Sequence, residues 1–352
     1  MVFLEILINY IIPIIYDSFV TLILVLLFLF IFRIKDSNIS ILFFFLPLIK
    51  PFIIIFEKID IDKIYFQTQL KTYGLRIPDP NNIFKFRLLD RGPEIFSNIN
   101  YLLLFLIFIS IILILIIRWV TLFLFYRNLA YEDKVGRKEV PEIYNIIDDY
   151  IKKIKIKAPD VSLTHRDYFS PFVVGIKNCT IVLSPNLIEK LNRDEKETLI
   201  QHELSHIKRK DSLISWAALI LRDLLFFNPF VHIAYYLIKT EQEKDSDKLV
   251  VKYSQKPSKE ISKNILNIIL KIRSISTSKP IYESAQSFTF LPLSLFNRIK
   301  LKNRIKSIFK TDPAKIYSSI FPKILMYILF LVTLYIQLLF IIKIGDLLIF
   351  LR

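Results

Sequence analysis

Long apolar runs separated by short charged clusters set the plan of this chain. The first run, residues 2–32, is interrupted by Asn9, Pro13 and Asp17 and closed by Arg33, Lys35 and Asp36. Its unbroken part, 18–32, makes only about 22 Å of helix, so a bilayer crossing must recruit residues before Asp17. A second run, 39–56, carries Pro47, Lys50 and Pro51. Prolines and a lysine inside an apolar run predict a kinked helix packed against protein. Residues 57–100 are mixed and broken by Pro78, Pro80, Gly92 and Pro93, which predicts a loop. The cleanest span covers 101–126, with Trp119 and Tyr126 suited to a membrane interface beside Arg118 and Arg127.

From 127 to 211 the pattern becomes that of a soluble domain. An amphipathic helix is predicted over 140–156, ending near Pro159, and short strands over 161–164 and 180–183. Pro171, Gly175 and Asn178 mark turns between the strands. Asn192 is placed to cap a helix running through Lys208, with Asp194 and Glu195 complementing its first turn. Residues 212–238 are apolar again but hold Arg222, Asp223, Asn228 and Pro229. Neither half of this segment, about 22 and 14 Å as helix, crosses a hydrocarbon core of about 30 Å. A membrane-associated hairpin at 212–239 is the expectation. The stretch 243–315 carries 16 Lys or Arg against six acids, and one more apolar run covers 324–342.

These segments predict an integral membrane, mainly α-helical protein with an α+β domain. Two N-terminal transmembrane helices occupy 1–56, an extracytoplasmic loop 57–100, and a third transmembrane helix 101–126. The domain with its hairpin follows at 127–320, then a final transmembrane helix at 321–343 and a short tail at 344–352. Composition agrees: of the 352 residues, 53% are hydrophobic and 14% aromatic, and the mean hydropathy of +0.46 exceeds that of a soluble protein. The formal charge of +16 comes with no finger or helix-turn-helix signature. Cytoplasmic loops beside anionic lipid account for it, and no direct nucleic-acid partner is expected. The first run lacks a basic leader and a small-residue cleavage site, so it is read as a retained span. Arg33 and Lys35 put the first turn inside, hence the N-terminus outside and the domain in the cytoplasm. The single cysteine, Cys179, excludes an internal disulfide and a multi-cysteine metal knuckle, and reads as a small packed residue.

The chemistry concentrates in His202-Glu203-Leu204-Ser205-His206. Positions four apart share a helix face, so both imidazoles can grip one zinc ion. Glu203 points toward the open coordination position, where it can take a proton from the attacking water and pass it to a leaving amine. Glu243 and Asp247 recur one helical turn apart after the apolar hairpin. Glu243 can supply a third ligand and Asp247 can hold the far nitrogen of a ligating histidine; a solvated charged face is the competing reading. A third ligand requires 202 and 243 on one side of the membrane, which again favours a hairpin over a crossing. His165 can contribute to oxyanion stabilisation or serve local structure only, and His232 reads as an interfacial or packed histidine.

The run from His202 to Asp211, the preceding 170–175 and 180–185, Asn228-Pro229, and Glu243 to Asp247 together resemble the BlaR1/MecR1-type M56 peptidases. These are membrane gluzincins related in plan to the HtpX and Ste24 proteases, and the resemblance covers about residues 130–310. It implies a cytoplasmic gluzincin-like zinc metallopeptidase domain in a bacterial, multi-pass cell-membrane protein. By the same resemblance Zn2+ is held by His202, His206 and Glu243, Glu203 is the base, and Arg209, Asp211 and Asp247 give support. It further implies a strand such as 180–183 that aligns an extended substrate by backbone pairing.

The resemblance is incomplete, because residues beyond about 342 are too few for the penicillin-binding sensor of antibiotic-sensing members. The expected activity is cleavage of a cytosolic or membrane-associated regulatory protein, a transcriptional repressor among the candidates, with autocleavage or a homodimer also open. The alternative is a non-catalytic membrane signalling or scaffold protein that retains the fold. A transporter is disfavoured, since ionisable groups do not recur as a paired repeat.

Overall fold

The computed structural model describes residues 11–34, 36–58, 98–164, 170–275, 304–309, 324–325, 328–329 and 331–332. The 57–100 loop and the 321–343 span fall mostly outside these residues, and His165 entirely so. Helix α1 (Ile12–Ile31) begins at Pro13, near the helix start where a missing N–H costs nothing. Its 20 residues reach about 30 Å, so the helix does recruit the residues before Asp17. Helix α2 (Ser37–Lys58) keeps both Pro47 and Pro51 inside it. Pro51 has no N–H to offer the carbonyl of Pro47, and the hydroxyl of Ser18 on α1 donates to that oxygen instead (3.4 Å). One turn from this contact the Lys50 ammonium pairs with Asp17 (2.6 Å) and donates to Thr21 Oγ1 (3.1 Å). The lysine that looked out of place in an apolar run is thus neutralised by the neighbouring helix.

Helix α3 (Asn98–Glu132) extends six residues past the predicted end at 126. Among the described residues two helical stretches are long and apolar enough to cross a membrane, Ile12–Ile31 and Leu106–Tyr131, while Ser37–Phe52 is a shorter apolar helix. After α3 comes strand β1 (Lys134–Val135), then α4 (Pro141–Ile154), whose Ile143, Ile147, Tyr150 and Ile154 form one buried stripe. That stripe packs on Ile181, Leu183, Ile200 and Leu204.

Strands β2 (Asp160–Leu163), β3 (Phe172–Val174) and β4 (Thr180–Leu183) complete a four-stranded sheet in the order β1-β2-β4-β3. β4 runs parallel to β2, with Val161 opposite Ile181, and antiparallel to β3, with Val173 opposite Ile181. This corrects one expectation. The 180–183 strand is paired on both sides and has no edge to offer a peptide; among the described residues the sheet ends in β1 on one side and β3 on the other. Three residues held between Pro171 and Gly175 are too short for periodicity to reveal, so the sequence showed only turns there. The β3–β4 turn needs Gly175, whose φ is +98° and whose added Cβ would stand 2.2 Å from the Asn178 carbonyl oxygen.

A short helix α5 (Pro185–Lys190) leads to α6 (Arg193–Arg209), which starts at the expected place. Asn192 accepts from Glu195 N (2.9 Å) and Glu195 accepts from Asn192 N (3.0 Å), a reciprocal capping box. Helices α7 (Asp211–Leu224) and α8 (Pro229–Ser254) form the hairpin, packed on α1 and α2. At its tip Asn228 caps α8 through Phe230 N (3.1 Å) and donates to Ser18 Oγ (2.8 Å). His232 Nε2 donates to the Phe226 carbonyl (3.0 Å), fixing the turn and taking no part in the histidine–carboxylate cluster. Arg222, fully buried, pairs with Asp223 (2.6 Å) and lies over the Tyr235 ring; Trp119 of α3 also donates to Asp223 (3.1 Å). The charges that disfavoured a lipid-exposed crossing are therefore matched inside protein. Helix α9 (Ser258–Ile275) packs on α6, and a helix at 304–309 inserts Ile308 against Val250, Val251, Ile261 and Ile265.

Candidate metal centre

The 3.6-residue turn places His202 and His206 on one face of α6, and the return of α8 brings Glu243 against them. The two Nε2 atoms stand 3.1 Å apart, and Glu243 Oε2 is 3.6 Å from His202 Nε2. One ligand atom from each of His202, His206 and Glu243 lies within 4.8 Å of the other two. The far nitrogens are held by acids. His206 Nδ1 meets Asp211 Oδ2 at 2.7 Å. His202 Nδ1 is 3.0 Å from Asp247 Oδ1, close in distance though its N–H is not aligned on that oxygen. A proton held at Nδ1 leaves the Nε2 lone pair free. Two imidazole nitrogens converging at 3.1 Å beside a carboxylate share a proton in the metal-free protein, and a bound cation would displace it. The donor set, two imidazoles and one carboxylate, fits zinc.

Burial opposes charge at His202, Glu203, Asp211 and Asp247, and the neighbours outweigh it at all but Glu203. Burial pushes the His202 pKa down, but Asp247 and Glu243 outweigh it and lift the imidazole to about 10. Burial raises the Glu203 pKa, only partly offset by His206 and His202. Asp211 and Asp247 are pushed up by burial yet end below the usual carboxylate range. His206 with Arg209 is responsible at Asp211, and Arg304 with His202 at Asp247.

The expected supporting residues all come to this cluster. Arg209 Nε donates to Asp211 Oδ2 (3.1 Å), and its guanidinium also meets Asp245. Gln242 Nε2 donates to the Asp211 carbonyl (3.1 Å), so α8 steadies the first turn of α7, which carries the acid. Sequence reasoning missed two members. Ser246 Oγ lies 3.1 Å from His206 Nδ1 and donates to Asp211 (3.4 Å). Arg304 grips Asp247 through Nε (2.8 Å) and Nη2 (2.9 Å) and reaches Glu243 Oε2 through Nη1 (2.9 Å). Nothing local marks Arg304, which is one of 16 basic residues in its stretch. A search for a cation to balance the three acids at 243, 245 and 247 was the signal available.

A hydrophobic helix bundle that carries a paired histidine–carboxylate centre defines the class of membrane metallopeptidases. Within that class the chain belongs to the BlaR1 peptidase M56 family, whose model matches residues 20–308. It is also similar to the Protease HtpX homologs of Pyrococcus abyssi (29% identical over 119 residues, 33% of this chain and 41% of the relative) and Thermococcus sibiricus (35% over 85 residues, 24% and 29%). The corresponding protein of Bacteroides fragilis is 31% identical over 106 residues, 30% of this chain and 31% of the relative. The chain thus matches roughly a third of the length of these curated relatives.

Proposed function

We propose that this chain is a membrane-embedded zinc endopeptidase cutting peptide bonds in a cytosolic or membrane-associated regulatory protein. The convergence of His202 Nε2, His206 Nε2 and Glu243 Oε2, with Glu203 between the histidines in sequence, carries the reading. His202, His206 and Glu243 would hold zinc, which would supply a Lewis acid for the scissile carbonyl and the attacking water. Glu203 takes the proton of that water and returns it to the leaving amine; its burial raises its basicity toward that task. Asp211 and Asp247 keep the imidazoles oriented, and Arg304 holds Asp247 and Glu243 in register. The edge strand β3 packs beside α6, and an extended peptide aligns along that side of the sheet. The N-terminus lies outside and the zinc domain in the cytoplasm, with the 212–239 hairpin dipping into the bilayer.

The purified full-length protein in detergent, given a quenched-fluorescent casein, tests this. Zinc is counted in wild type, Glu203→Gln and Glu243→Ala. Glu203→Gln should keep its zinc and lose cleavage by about 10²–10⁴-fold, whereas Glu243→Ala should lose both. Unchanged cleavage in Glu203→Gln removes the assigned base, and absence of cleavage in wild type favours a non-catalytic scaffold.

A further inference from the structure

Beyond the metal centre, at the end of α6, lies an open cavity of about 560 Å³ whose lining residues none of the chemistry above uses. Lysines converge on it from four places: Lys134 after α3, Lys155 and Lys157 after α4, Lys177 in the β3–β4 turn, and Lys208 with Lys210 at the end of α6. Asp160 is the one acid among the lining residues. Three of the lysines are already engaged. Lys134 pairs with Asp160 (2.6 Å), Lys157 donates to Asn178 Oδ1 (3.1 Å), and Lys208 donates to the Ile154 carbonyl (2.7 Å). The ammonium groups of Lys155, Lys177 and Lys210 have no partner among the described residues.

Two of these free lysines stand where the backbone disfavours them. Lys155 and Lys210 have φ of 56° and 57°, each just past the end of a helix. That left-handed position is most often filled by Gly or Asn, because a larger side chain is strained there by roughly 1–2 kcal/mol. Both strained positions carry an ammonium, and both line the same cavity.

The depth of the cavity follows from three contacts. Asn228 meets Ser18, Trp119 meets Asp223, and Lys248 meets Ser37 (3.1 Å). Residues 18, 119, 223 and 228 thus share one level of the bundle. Moving 12 or 13 residues along α1, α3 or α7, about 18–20 Å, brings each helix to its end near 31, 131 and 211. Tyr131, at the end of the apolar stretch of α3, lines the cavity beside Lys134. A membrane that covers that stretch to Tyr131 holds Trp119 about 18 Å inside it, not at the interface expected of it, and brings its phosphate layer to the level of Tyr131 and Lys134.

We infer that this cavity binds the glycerophosphate head group of an anionic membrane lipid. An occupant would touch Lys210, next to Asp211, which orients His206, so lipid occupancy and the order of the metal centre are linked through the last turn of α6. The inference rests on the reading of α3 as a membrane span, and the experiment separates the two.

Full-length protein is reconstituted in nanodiscs of phosphatidylcholine alone or with phosphatidylglycerol, then examined by native mass spectrometry for retained lipid. The alkylation rate of Cys179, the only cysteine in the chain and a lining residue, is measured in parallel. Incorporation into neutral nanodiscs reports the span reading alone. Wild type should retain one phosphatidylglycerol per chain and show slowed alkylation when that lipid is present. The triple variant Lys155→Asn, Lys177→Gln, Lys210→Asn keeps residues tolerant of the left-handed backbone. It should lose retention by roughly fivefold for each lysine and lose the protection of Cys179. Lys152→Gln, Lys259→Gln, Lys263→Gln, an equal charge change away from the cavity, should behave as wild type. Equal losses in both triples reduce the effect to bulk charge and overturn the inference. So does protection by soluble glycerophosphate or an acidic peptide without any preference for the anionic lipid.

Discussion

Substituting Arg304 tests how far the metal centre depends on a residue that reaches it from outside the motif. In the folded protein its guanidinium makes three short contacts, two to Asp247 and one to Glu243, at 2.8–2.9 Å. Asp247 is completely enclosed and Arg304 only 13% exposed in its side chain, so solvent screens the pair weakly. Removing one partner of such a pair leaves the other charge buried and costs about 3–5 kcal/mol. For a domain of about 150–250 residues each kcal/mol moves the melting temperature by about 2–4 °C. Metal-free Arg304→Met should therefore melt roughly 6–20 °C below wild type. Arg304→Lys should fall in between, since an ammonium keeps the charge but cannot span both carboxylates as the planar fork does. Added zinc should recover part of the loss in Arg304→Met, because a cation held at Glu243 would supply the positive charge that the guanidinium gives the same oxygen. Differential scanning fluorimetry of chelator-treated and zinc-loaded protein reads all three, with the exposed Lys306→Ala on the same helix as control. If Arg304→Met melts with wild type while Lys306→Ala does too, the clamp contributes nothing and the argument fails.

Two further outcomes follow from local geometry. Gly175→Ala drives a methyl into the Asn178 carbonyl at a φ of +98°, and should lower stability by about 1–3 kcal/mol. Hydrogen exchange should show lost protection in residues 172–183, and unchanged protection there would contradict the turn assignment. Burial pushes the Glu195 pKa up from its ordinary 4.5, but Lys271 and the Asn192 N–H outweigh it, so the folded value is depressed. A depressed acid stabilises the fold above its unfolded pKa and loses that contribution as pH falls through the folded value. The melting-temperature gap between wild type and Glu195→Gln should thus be full near neutral pH and close below about pH 4.5; a gap that widens on acidification would reverse the sign.

The legible parts of this molecule were those that a few neighbouring residues encode. Asn192 and Glu195 announced the start of α6, the alternation of apolar and charged positions gave α4, and Ser184-Pro185 bounded the strand at 180–183, while the strand expected at 161–164 lies one residue earlier, at 160–163. The four-residue spacing of His202 and His206 made a shared helix face certain once the helix was granted. The chain ends of α3 and the three-residue β3 were less legible, because an apolar helix carries no stop signal in Tyr-Arg-Asn and a strand of three residues has no period to detect.

What the sequence determined alone was the pair of imidazoles, the carboxylate beside them, and an apolar content that demanded a bilayer or a large core. Only the tertiary structure decided that Glu243 returns to those imidazoles, that β3 and not β4 lies at a sheet edge, and that Arg304 closes the acid cluster across 57 residues. The reason is physical. Helix and cap geometry are fixed within one turn by backbone hydrogen bonding, so residue spacing suffices to read them. Which edge stays open and which cation answers a buried acid depend on how apolar faces pack, and packing joins segments that share no local pattern.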